Sequence, residues 1–394
     1  MVNIRQCNHS ETQHQELPRV GQFSLSPLDT RIEFPTMSIT VGTGPQDYIA
    51  FRCFQQIPVP GVAFKRQAYA PIRSLARVHP YFASFCHGVG AFYPTRSVDL
   101  FHSSNAILLN PQPWVVSFES SLPRIWDHPR LEHFLFERLA SVDCRSILPM
   151  SKNALLHFKL RNQGRDKLTS VLKKTHVVYP GIEDDATTHD ASLRRKRTPP
   201  YRLLFIGNDF LRKGGAFACE AYAEIRRSFP VELTVISTLQ DTEESSVWIQ
   251  RMRDLGITHL KNRTSSQVRE QLSLTDLLLL PTQQDSFGFS IVEAMATGVP
   301  AIASAVEAIP EIIDDRVTGR LIALPLQEEG RLASVDNAAR LITNGLVTAL
   351  SETLSDPAQL TNMGLASRQR YEHLFHPAVV GQRLQLIYDG ALSS

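Results

Sequence analysis

The chain has 394 residues, 43% hydrophobic and 20% charged, which is enough for two hydrophobic cores in an ordinary globular balance. Lys and Arg total 41 against 39 Asp and Glu, and a net charge of +2 argues against a nucleic-acid binder, which needs a basic face. Five cysteines (Cys7, Cys53, Cys86, Cys144 and Cys219) form no C-x-x-C pair, so a disulfide framework or zinc site is not expected and a reducing cytoplasm fits.

Residues 1–35 are polar and aperiodic, without the apolar core of a signal peptide, and read as a tail or loose edge. No run reaches the roughly 18 apolar residues of a spanning helix. Residues 36–183 alternate short apolar runs with helical stretches, a Rossmann-like pattern with strands expected over 98–101, 114–118, 146–150 and 176–179. Within them, 64–82 sets Lys65, Arg66, Arg73 and Arg77 among apolar residues. That is the pattern of an ordinary helix face, and it leaves peripheral contact with the inner face of a membrane open.

Residues 184–200 are polar, end in Pro-Pro and read as a solvated linker, including the basic run at 194–197. From 201 to 375 the alternation is cleaner. Strands are expected over 201–206, 231–236, 277–280, 299–303 and 320–323. A helix over 215–228 has Ala218, Ala221, Tyr222 and Ile225 on one face. This repetition predicts a second doubly wound α/β domain. Residues 376–394 close the chain, with a helix over 376–389 that carries Pro377 in its first turn.

Two segments carry chemistry. In LLLLPTQQDSFGFSIVEAMATGVPAIAS, residues 277–304, a buried strand ends at Pro281, a polar loop follows, and Gly288 opens a helix that stops at Gly298. Unpaired amides at a helix start attract a phosphate or sugar oxygen, and glycine lets a ligand approach the backbone. Asp285 before the helix and Glu293 inside it suit sugar hydroxyls, because each carboxylate oxygen accepts from an O–H. In LLFIGNDFLRKGGAF, residues 203–217, a strand again runs through a Gly207-containing loop into a helix, with Arg212 and Lys213 at its start. Cations there oppose the helix dipole, a conflict that a diphosphate would resolve.

These segments resemble the C-terminal domain of the retaining, GT-B-fold glycosyltransferases of the group 1 family, over residues 201–324. The resemblance implies two Rossmann-like domains facing each other across a cleft. It assigns Asp285 to sugar hydroxyls, with aspartate where glutamate is usual, and Glu293 to the ribose. The amides of Phe287, Gly288, Phe289 and Ser290 fall to sugar and phosphate, and Lys213 to the diphosphate. Asn208 stands after Gly207 where the family has its arginine, and Arg212 takes that role from the other end of the loop. Pro310, Glu311 and Gly319 fit the family's downstream pattern. In the N-terminal half VDLFH ends at His102 and WVVSFE at Glu119, at strand ends facing the acceptor, and Glu119 occupies the place of a family histidine near the sugar. No glycine-rich loop is evident after a first strand.

The resemblance implies metal-independent sugar transfer, with retention, from a nucleoside-diphosphate sugar to a glycan or lipid-linked acceptor, with no cofactor. The catalytic candidates are Lys213, Asp285, Arg212 and Glu119, and the donor-binding candidates are Gly207, Asn208, Phe287, Gly288, Phe289, Ser290 and Glu293. Two alternatives share the fold, a nucleotide-sugar epimerase and a non-catalytic nucleotide-sugar binder or scaffold. A dinucleotide oxidoreductase ranks last, because no G-x-G-x-x-G follows a strand with an acid about 20 residues on.

Overall fold

The computed structural model describes residues 38–44, 54, 57–67, 88–92, 97–126, 128–183, 197–239, 242–334 and 337–393. The expected tail at 1–35, the linker over 184–196 and the 68–82 part of the basic helix face lie outside them. The start of that face is not helical: Phe64, Lys65 and Arg66 belong to a strand.

Five parallel strands form the N-terminal sheet: β1 (Ile39–Thr43), β2 (Val62–Arg66), β4 (Leu100–Ser104), β6 (Trp114–Phe118) and β7 (Cys144–Pro149). A small parallel pair, β3 (Val89–Gly90) and β5 (Ile107–Leu108), lies outside it. The order β2-β1-β4-β6-β7 is the flavodoxin-like pattern of doubly wound sheets. Leu100, Val115 and Leu148 enter one core, whereas Phe101, Trp114, Val116 and Ile147 enter the other. Apolar residues therefore succeed one another within these strands, as in Leu100-Phe101, Trp114-Val115-Val116 and Ile147-Leu148, because both faces are covered. The 176–179 stretch is not a strand. Its His176 and Val178 amides bond Ile147 and Pro149, but only Thr175 makes a bridge, to Ile147. Central β1 contains Gly42 and is followed by Gly44, and the loop beyond, where no glycine-rich sequence was expected, lies outside the described residues.

The C-terminal sheet is built from β8 (Tyr201–Ile206), β9 (Val231–Ile236), β10 (Thr258–Leu260), β11 (Leu277–Leu280), β12 (Ala301–Ser304) and β13 (Gly319–Ile322). All pairs are parallel, in the order β10-β9-β8-β11-β12-β13. With β8 counted first this is 3-2-1-4-5-6, the dinucleotide-fold order, whose switch point falls between β8 and β11. Leu277 and Leu279 pack under the helices Gly215–Ile225 and Ala338–Leu354, while Leu278 and Leu280 pack under the helix Phe289–Ala296.

The last helix, Pro377–Ser393, leaves the C-terminal sheet. Its Val380, Leu384, Tyr388 and Ala391 share a core with Ile39, Val41 and Leu100 of the N-terminal sheet. Arg197, expected in a solvated linker, is buried instead, and its guanidinium donates to the carbonyls of Asp276 and Gly298. Two carbonyls that end a strand entry and a helix thereby gain a charged donor. Among the described residues no helix is long and apolar enough to cross a membrane. Cys144 and Cys219 are buried, unbridged thiols.

Candidate active site

The two segments singled out in the sequence follow β8 and β11, the neighbouring strands of the switch point. Parallel pairing puts both loops at the carboxyl edge of the sheet, where open α/β sheets bind ligands. There Lys213 Nζ donates to Asp285 Oδ2 at 2.6 Å, with side-chain exposures of 20% and 9%. Asp285 Oδ1 accepts the amides of Gly288 at 2.8 Å and Phe287 at 3.3 Å. One carboxylate thus fastens the turn and binds the lysine of the other loop.

That geometry needs two glycines in the left-handed region. Gly214 caps the helix Gly215–Ile225 with φ +84°, and a Cβ on it would stand 2.0 Å from the Pro281 carbonyl oxygen. Gly288 caps the helix Phe289–Ala296 with φ +96°. Asp285 is therefore not the helix cap. It lies three residues earlier, in the turn.

The four turn amides assigned to a ligand divide into two pairs. Those of Phe287 and Gly288 are taken by Asp285, whereas Ile291 and Val292 already donate to the Gly288 carbonyl. The amides of Phe289 and Ser290, first in the helix, have no partner inside it, and they are the ones positioned for an anion. Glu293 follows one turn along, half-buried.

The conflict expected between two cations and a helix start is settled within the protein. The helix begins at Gly215, beyond both cations. Lys213 has Asp285, and Arg212 has Asp209, at 2.7 Å from its Nε. Arg212 also reaches the Gln284 carbonyl at 3.2 Å, and its own carbonyl accepts the Gln283 amide at 3.0 Å. The hydrogen bonds to Arg212 hold Asp209 below its usual carboxylate range. Gly207 and Asn208 follow β8 directly, with Asn208 exposed.

Of the N-terminal candidates Glu119 directly follows β6, whereas His102 is the middle residue of β4, which runs on to Ser104, so the expected strand end at His102 does not hold. Glu119 is buried, and its amide donates to the side chain of Asn105 at 3.1 Å, itself held at φ +58°. His102 is wholly buried, and its Nδ1 shares a hydrogen with the Tyr388 hydroxyl at 2.7 Å. Burial pushes its pKa down to about 3, so the ring is neutral. His102 is a core residue of the interface with the last helix.

One motif residue does what its position in the sequence did not disclose. Glu311, in the short helix Ile309–Ile312, accepts the amides of Lys152 and Asn153, both at 2.7 Å, and the Tyr179 hydroxyl at 3.1 Å. Ser151 takes the next amide, that of Ala154, at 2.9 Å. The helix Lys152–Arg161 beside the N-terminal sheet is thus capped from the C-terminal side, a favourable seat for a negative charge.

Residues 200–344 match the family model described as Glycosyl transferases group 1. Among curated proteins, N-acetyl-alpha-D-glucosaminyl L-malate synthase of Bacillus anthracis is 30% identical over 193 residues, 48% of this chain and 45% of that protein. Glycogen synthase of Mycobacterium tuberculosis is 27% identical over 225 residues, 56% of this chain and 49% of that one. The chain thus spans about half the length of the curated relatives it matches. A solved glycosyltransferase from Rickettsia africae superposes with TM-score 0.61 at 11% identity, over 91% of this chain and 100% of that one. HepE of Anabaena, solved with UDP, superposes with TM-score 0.59 at 14% identity, over 90% and 100% of the two chains. The fold is GT-B, two Rossmann-like domains.

Proposed function

We propose that this chain is a group 1 glycosyltransferase, the family whose model residues 200–344 match, and that it transfers a sugar from a nucleoside diphosphate to an acceptor hydroxyl. The observation that carries this reading is the Lys213–Asp285 pair at the switch point, beside the amides of Phe289 and Ser290. A diphosphate competes with Asp285 for Lys213. When it takes the ammonium, Asp285 Oδ2 is released to accept from a sugar hydroxyl. In the reaction the bond from the anomeric carbon to the diphosphate breaks with its electron pair on the phosphate oxygen. The acceptor oxygen takes its place and gives its proton to the departing group. Lys213, Arg212 and the two amides are preorganised for the charge that develops, often the largest catalytic contribution.

Retention of configuration and independence from metal belong to this reading. The family likeness supports the first, and the two cations, which can neutralise the diphosphate themselves, support the second. Glu293 is assigned to the ribose, Gly207 and Asn208 to the donor loop, and Glu119 to the acceptor side. HepE was solved with UDP, which favours a nucleotide-sugar donor here as well.

The test is calorimetric binding of UDP, GDP and ADP without added metal, to the native protein and to Glu293→Ala. One nucleotide should bind, and more weakly to the variant. Lys213→Ala should lose roughly ten- to a hundredfold in transfer, the worth of one hydrogen bond to a charged group. Full transfer by a folded Lys213→Ala protein would overturn the assignment. Sugar conversion without acceptor would mark an epimerase, and binding without turnover on any acceptor a non-catalytic relative.

A further inference from the structure

Glu307, in the turn between β12 and the helix Ile309–Ile312, combines backbone strain with an unfilled buried acceptor. Its φ is +46°, in the left-handed region that residues with a Cβ rarely adopt. Asn105 and Asn262 share the region, but asparagine tolerates it, and Arg316 does so on an exposed turn, 62% accessible. The Glu307 side chain is 6% exposed. Its Oε2 is shielded from solvent and has no hydrogen-bond partner. Its Oε1 has Gln284 Nε2 at 3.4 Å and Arg331 Nε at 3.8 Å, both long for a hydrogen bond. Nearby, the buried Oγ of Ser304 at the end of β12 also has no partner.

A strained residue with a buried, unfilled carboxylate oxygen is held there by its surroundings, and such outliers gather at ligand sites. Glu307 belongs to the same carboxyl edge as the Lys213–Asp285 pair, and its neighbour Gln284 directly precedes Asp285. Its chemistry selects the ligand group. A carboxylate repels phosphate, and Arg331 already stands beside it as a cation, so a neutral O–H donor suits Oε2 best. Resting on the transferase reading above, we propose that Glu307 is a specificity-determining residue that accepts a hydrogen bond from a hydroxyl of the transferred sugar.

Calorimetry on the full chain separates the two readings. UDP, GDP and ADP are compared with UDP-glucose, GDP-mannose and ADP-glucose, on native protein, Glu307→Gln and Glu307→Gly. The bare nucleotide should bind all three proteins within about twofold, while its sugar conjugate binds both variants about tenfold more weakly. Glu307→Gly should melt no lower than the native protein, because glycine accepts the left-handed backbone without strain. A lower melting temperature with parallel loss of bare-nucleotide binding would mark a structural residue and overturn the proposal. Unchanged sugar-conjugate affinity in both variants would overturn it too, leaving the transferase reading intact. If no nucleotide or nucleotide sugar binds the native protein, the transferase reading fails and this inference falls with it.

Discussion

At the carboxyl edge of the C-terminal sheet a lysine meets an aspartate at 2.6 Å, and midway along β4 of the N-terminal sheet a histidine meets a tyrosine at 2.7 Å. Both contacts belong to parallel sheets whose apolar residues alternate between two covered faces. The first is charged, and its members stand on adjacent switch-point loops. The second is neutral and wholly buried, with one member on the last helix of the chain. One architecture therefore serves two ends: charge is gathered between two loops at the switch point, and a neutral pair seals an interface where no charge could be solvated.

The sharpest way to break the charged edge is Gly214→Ala. The new Cβ meets the Pro281 carbonyl, and φ is +84°, so the loops after β8 and β11 must part. A loss of about 2–4 kcal/mol in denaturant unfolding is expected, together with loss of nucleotide binding. Unchanged binding would show that the pocket does not depend on their contact.

The neutral pair should show itself in acid. His102 has its pKa lowered from 6.5 to about 3, so below pH 6.5 the unfolded chain binds a proton that the folded one refuses. Stability from this group is complete above 6.5 and falls as pH drops toward about 3, by up to about 1.4 kcal/mol per unit. Unfolding free energies of the native protein and His102→Gln, measured across that window, should differ in slope. Parallel curves would mean that His102 is protonated in the folded state. At neutral pH, Tyr388→Phe should cost about 1–3 kcal/mol by stranding one imidazole nitrogen.

A smaller effect is expected where the two halves touch. Glu311→Ala removes the carboxylate from the amides of Lys152 and Asn153 and should cost about 1–2 kcal/mol, in the range of a lost helix cap. Amide exchange at those two residues should accelerate while that of Ala154, capped by Ser151, changes less. Equal protection in the variant would mean that water replaces the carboxylate without loss.

Much of the C-terminal sheet was legible in advance. The runs 201–206, 231–236 and 277–280 coincide with β8, β9 and β11, because strands covered on both faces are dominated by apolar residues, LLLL throughout in β11 and broken only by exposed Arg202 in β8 and by Glu232 and Thr234 in β9. β10 escaped because Thr258, His259 and Leu260 are partly exposed at the sheet edge and carry no such run. β1 escaped because ITVGT is short and contains a glycine, yet it lies between β2 and β4 in its sheet. Site residues followed the same division. The acids, cations and glycines of both loops could be picked out by type and spacing, but their division of labour could not. That Asp285 would take two of the four turn amides and Lys213 besides is a property of two loops meeting.

Local composition and periodicity determined where the chain makes strands, where it turns and which loops carry charge, since those choices depend on neighbours a few residues away. Tertiary structure alone decided the contacts between distant segments: Lys213 with Asp285, 72 positions apart, Glu311 with the amide of Lys152, 159 apart, and His102 with Tyr388, 286 apart. Each depends on which strands neighbour one another and on which sheet the final helix covers. Strand order is set by packing the whole set of apolar faces at once, and no single segment encodes it.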